Sequence, residues 1–109
     1  MAKNETKCEL KGLKRSKARH TISLNPWMPA YRLEYARVLM QCHEWFKADE
    51  QCKRGLQLDP MRLDLRQIRI ECLLHQGDKV QAREEFARLL RFQPPDEPAL
   101  RRWFLQRLQ

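Results

Sequence analysis

The stretch LNP at residues 24–26 returns as LDP at 58–60 and as FQP at 92–94, a period of 34 residues. In each copy a large apolar residue closes a helix-forming run and a polar residue follows. Pro26, Pro60 or Pro94 then stops the run, because the proline ring fixes φ and removes a backbone donor. A period of this length marks a helix-turn-helix repeat, whose units bury a continuous core only by stacking on one another. The expected fold is therefore all-α, and the expected role is that of a binding scaffold.

Reading outward from the prolines, PAYRLEYARVLMQ (29–41) opens on Pro29, which is tolerated in a first helical turn. WFKADEQCKRGLQL (45–58) places Trp45, Ala48, Cys52 and Leu56 on one apolar stripe. The pattern repeats in LDLRQIRIECLLHQ, where Gly77 supplies a helix C-cap and Asp78 with Gln81 predicts a capping box. In KVQAREEFARLLRF, Val80, Ala82, Phe86, Leu89 and Leu90 are expected to face the core until Pro94 and Pro95 end the helix. Asp96 is a candidate N-cap for EPALRRWFLQRLQ, whose Leu100, Trp103, Phe104 and Leu108 would cover the end of the stack.

These residues resemble the tetratricopeptide repeat family. In one unit Ala36 takes the small site, Trp45 the aromatic after the turn, Ala48 the close helix–helix contact and Pro60 the terminator. In the next, Gly77, Ala82, Phe86 and Pro94 take the turn, close-contact, aromatic and terminator sites. The resemblance implies a right-handed solenoid made of a repeat over 29–62, a repeat over 63–96 and a capping helix over 97–108. Residues 25–109 form the repeat domain, and residues 1–24 are a basic leader in which Ala18, Ile22, Leu24, Asn25 and Pro26 look like the end of another unit's second helix. The chain departs from the family pattern at Arg32 and Arg66, which replace large apolar residues, and at Arg69 and Ile70. His43 stands for the turn Gly of the first unit. Gly55 replaces a late Ala, so that unit is expected to be locally weaker, since Gly costs ~1 kcal/mol in a helix interior.

In this family the first helices of successive units line a concave groove. The resemblance therefore implies that Leu33, Arg37, Met40 and Gln41 face a partner from one unit, and Gln67, Glu71, Leu74 and His75 from the next. Such a surface suits a peptide or partner protein, with apolar anchors supplying affinity and Arg37 and Glu71 selecting charge. Leu33 and Arg37 occupy positions where the family's carboxylate-binding members carry Lys and Asn, so no binding of that type to an acidic C-terminal tail is expected.

Charge is uneven along the chain. Residues 1–24 hold seven Lys or Arg against two Glu, whereas residues 25–60 balance at five of each sign. Lys11, Lys14, Arg15, Lys17 and Arg19 are thus candidate contacts for nucleic acid or another acidic partner, the alternative being a solvated terminal helix. Arg101, Arg102 and Arg107 form a second cluster beside Trp103.

The two serines, Ser16 and Ser23, lie in the leader, and no phosphate-cradling Gly-rich loop or convergent carboxylate pair accompanies them, so an enzyme is not expected. Cys8, Cys42, Cys52 and Cys72 lack C-x-x-C spacing, and free buried thiols are favoured over disulfides. Cys72 and His75, with Cys42 and His43, offer zinc-ligand chemistry, but packing positions account for them better, and no metal or cofactor is expected. No apolar run approaches a bilayer span and no secretion signal is seen, which predicts a cytoplasmic chain. The incomplete first unit predicts self-association, a larger repeat array or the tail of a larger multidomain protein.

Overall fold

The computed structural model describes residues 2–108, with side chains from residue 12 onward. Among these residues the chain is all-helical, with α1 (Ala2–Leu24), α2 (Pro29–Gln41), α3 (Trp45–Leu58), α4 (Leu63–His75), α5 (Lys79–Arg91) and α6 (Glu97–Leu108). Each helix packs on the next. In addition α2 touches α4 and α4 touches α6, whereas α1, α3 and α5 make no contact with one another among the described residues. The even helices thus form a contiguous inner row, and the odd helices lie splayed outside it.

The sequence of each row fits its place. The outer helices bury a single stripe, Ala48, Asp49, Cys52 and Gly55 on α3 and Ala82, Glu85, Phe86 and Leu89 on α5. The inner helices have neighbours on several sides and bury residues around much of their circumference: Leu33, Tyr35, Ala36, Val38 and Leu39 on α2, and Leu65, Ile68, Ile70, Cys72 and Leu73 on α4. One apolar cluster joins α1 to α4 through Ala18 and Ile22, and the other joins α4 to α6 through Ile70, Phe86 and Phe104. Phe86 and Phe104 stack with centroids 4.2 Å apart, while Leu100, Trp103 and Leu108 pack half-buried on the same cluster, so α6 closes that end as its stripe predicts.

The turns repeat with the same period. At the end of α4, Gly77 (φ 81) is left-handed, with Gly77 N–H donating to Leu74 O (3.1 Å) and Asp78 N–H to Leu73 O (3.0 Å), a Schellman close. His43 (φ 58) makes the same close on α2, with bonds from His43 N–H to Met40 O and from Glu44 N–H to Leu39 O. Asp78 caps α5 by accepting from Gln81 N–H at 3.0 Å. Its own N–H is already taken by Leu73 O, so the reciprocal half of the expected capping box is not made. Asp96 stands at the N-cap position of α6 with φ 55, and its carbonyl accepts from Leu100 N–H at 3.2 Å as the first bond of that helix.

One further expectation fails, and two departures from the repeat pattern find packing reasons. Val80 is 70% exposed because it lies about 200° around the helix from Ala82, on the side opposite the buried stripe. Gly55 has a packing reason. A Cβ there would lie 2.6 Å from Leu65 Cδ1 and 3.3 Å from Arg32 Cβ, so the missing side chain is what lets α3 approach α2 and α4. The arginines out of pattern have partners: Arg32 donates to Gln51 Oε1 at 2.8 Å, and Arg66 donates to Pro60 O and lies 4.6 Å over the Phe92 ring.

Candidate functional site

Clefts open beside the helices of the inner row. One, about 630 Å³, runs between α1 and α2 and is walled by Lys14 and Lys17 on one side and by Leu33, Arg37 and Gln41 on the other. A second, about 380 Å³, lies between α4 and α6, with Leu63, Gln67, Pro94 and Trp103 around an apolar floor. A third, about 220 Å³, brings Glu71, Leu74 and His75 together with Arg107 of α6.

The eight residues expected to line one groove are therefore distributed among separate places. Leu33, Arg37 and Gln41 border the first cleft, with Leu33 itself largely buried in the core. Gln67 borders the second cleft, and Glu71, Leu74 and His75 border the third. Met40 packs against the first apolar cluster. Arg37 is exposed, but Glu71 already has a cationic partner in Arg107 at 3.0 Å. His75 lies flat on Trp45 with centroids 3.9 Å apart, and His43 stacks on that same indole at 5.4 Å. Trp45 thus ties the α2–α3 turn to the end of α4.

The basic residues of α1 point in different directions, as their helical spacing dictates. Lys14 and Lys17 look into the first cleft, and Arg19 lies beside Ser16, His20 and Ser23. Arg15 faces Glu44 at 3.7 Å, and the neighbouring Cys42 and Glu44 raise its pKa above the ordinary guanidinium value. The Lys11 side chain lies outside the described residues.

A charged junction that the sequence pattern does not reveal holds α3, α4 and α5 together. Arg69 reaches Asp49 Oδ1 at 3.1 Å and Glu85 Oε1 at 2.7 Å, and Arg88 also donates to Glu85 Oε1 at 2.8 Å. Asp49 and Glu85 are 4% and 1% exposed, so neither carboxylate is a surface charge. Burial pushes the Asp49 carboxyl above its ordinary pKa, although Arg69 and Lys53 pull it down. The 34-residue register recurs here, since Gln51, the partner of Arg32, is the counterpart of Glu85, which lies 3.8 Å from Arg66.

The thiols of Cys42, Cys52 and Cys72 are free, and burial raises the pKa of Cys72 to about 12 and that of Cys52 further still, which leaves both as inert packing groups. Cys8 lies outside the described side chains. Among the described residues, no three His, Cys, Asp or Glu side chains converge, and no helix is long and apolar enough to cross a membrane. Compared with known proteins, the chain matches no family model, no curated protein and no solved structure.

Proposed function

We propose that the chain is a protein–protein interaction module of the tetratricopeptide kind, which receives a segment of a partner polypeptide along the inner row α2, α4 and α6. The observation that carries this reading is the row itself. Its helices touch in series, and the clefts along it, one shared between α1 and α2 and one between α4 and α6, combine apolar floors with polar rims at Arg37 and Gln67. Apolar floors favour anchor side chains, and the rims would select among partners by charge and hydrogen bonding.

Phosphate binding through the leader has less support, because Arg15 is engaged with Glu44 and Arg19 faces away from Lys14 and Lys17. The test is quantitative capture from the source lysate with the intact chain and with an Arg37→Glu, Gln67→Arg double variant. Selective loss of a reproducible set of proteins supports the inner row as the binding surface. Recovery of the same proteins at equal yield refutes it.

A further inference from the structure

Helix α1 stands to α2 as α3 stands to α4, one period of 34 residues earlier. The space beside α3 and α4 is filled by α2, whose Leu33, Ala36 and Leu39 share one buried cluster with Ala48 and Cys52 of α3 and Leu65, Ile68 and Cys72 of α4. Moved back by one period, the α3 and α4 positions become Lys14, Ala18, Tyr31, Glu34 and Val38. All five line the 630 Å³ cleft between α1 and α2. Gly55, which approaches Arg32 of α2, has Thr21 as its counterpart, and Thr21 is on the cleft wall as well. The cleft is therefore built as the seat of a helix.

Its chemistry differs from that of the seat α2 fills. Lys14 stands where Ala48 and Ala82 allow two helices to touch, Lys17 replaces Gln51, and Arg37 replaces Glu71, against one added acid, Glu34. Ala18, Leu33 and Val38 keep an apolar floor. A purely apolar helix seated there would strip water from ammonium groups without pairing them, which is costly. Carboxylates on the occupant would pair those groups while the lysine stems lie along its surface. A second copy of this chain is a poor occupant, because none of the six helices has a net negative charge and the whole chain carries +8.

We infer that the α1–α2 cleft binds an acidic amphipathic helix from a different polypeptide, which sits against α1 and α2 as α2 sits against α3 and α4. The inference rests on the reading of the chain as a binding module and deepens it, naming the occupant and the partner chemistry of the cleft at the α1 end of the inner row. It also fixes one contact. Arg32 of α2 meets Gln51 at 2.8 Å, so the occupant's residue at the position of Arg32 meets Lys17 and should be acidic.

The test uses two stapled, fluorescein-labelled peptides with the α2 sequence 29–41, one carrying Arg32→Glu and Arg37→Glu and one carrying only Arg37→Glu, titrated against the intact chain by fluorescence anisotropy. The doubly substituted peptide is expected to bind about tenfold more tightly, and Lys17→Glu in the protein should reverse that order. Lys17 is exposed, so this variant should keep the wild-type helical circular dichroism. Equal affinity of the two peptides, or no saturation at about 1 mM, overturns the inference. A uridine 20-mer that displaces the peptide and depends equally on Lys17 would reassign the cleft to phosphate and overturn it too. Charge reversal at Lys17 together with an unchanged lysate capture for a Gln67→Arg single variant, which leaves the α1–α2 cleft untouched, would leave this seat standing and refute the inner-row reading alone.

Discussion

At Gly55, intrinsic preference and packing oppose each other. Ala is favoured over Gly in a helix interior by roughly 0.5–1 kcal/mol. Its methyl group would meet Leu65 Cδ1 at 2.6 Å, and Leu65 is fully buried, so it has no solvent to swing into. Overpacking of this kind costs ~1–3 kcal/mol, so Gly55→Ala should lower the unfolding free energy by about 1 kcal/mol net, measurable by urea denaturation. A more stable variant would mean that Leu65 gives way. Asp49 offers a second test at this scale. Its folded pKa is raised, chiefly by burial, so the folded state holds its proton more tightly than the unfolded state does. Its contribution to stability is present below the ordinary carboxylate range and is lost as pH rises through the folded pKa. Wild type should accordingly lose stability relative to Asp49→Asn across that interval, and a carboxyl NMR titration should place the Asp49 pKa above the ordinary value of about 3.9.

At the scale of the element, α4 is the helix on which both apolar clusters depend, with Leu65, Ile68 and Cys72 in one and Ile70 and Leu73 in the other. Between those contacts it carries Arg69 into the junction with Asp49 and Glu85. Arg69→Met should cost about 3 kcal/mol by leaving two buried carboxylates without their shared cation, and adding Asp49→Asn and Glu85→Gln should restore much of that loss. Chemical denaturation of the single and triple variants checks both halves. This junction also shows where the sequence stops being legible. The helix starts at Pro29, Trp45, Leu63, Lys79 and Glu97 can be read locally, since prolines, turn residues and apolar stripes punctuate them. Arg69 stands out as a departure from the repeat pattern, but nothing local marks Asp49 and Glu85 as its buried partners until three helices are brought together. The candidate site divides in the same way: Arg37 and Gln67 are readable as inner-face residues, but the engagement of Glu71 by Arg107 depends on how α6 folds back, which no local pattern encodes.

At the scale of the whole molecule, the contacts among the described residues run along the stack from each helix to its neighbours, without a single shared centre. Stability in such an arrangement is close to a sum of unit and interface contributions, so damage at one end should remain largely at that end. Phe104 tests this, because it is 6% exposed, stacks on Phe86 and belongs to the cluster that excludes α1, α2 and α3. Phe104→Ala should cost about 3 kcal/mol where α6 meets α5. Hydrogen exchange should then accelerate through α5 and α6, while the amides of α2 and α3 keep most of their protection behind Leu39, Ala48 and Cys52. Arg69 and its carboxylates are the route by which the loss could spread, since they lock α5 to α3 through α4. If α2 and α3 exchange as fast as α6 in the variant, the junction couples the two clusters into one cooperative unit. If they stay protected, the helix seat between α1 and α2 belongs to a body that holds its shape independently of the far end, as a preformed binding cleft requires.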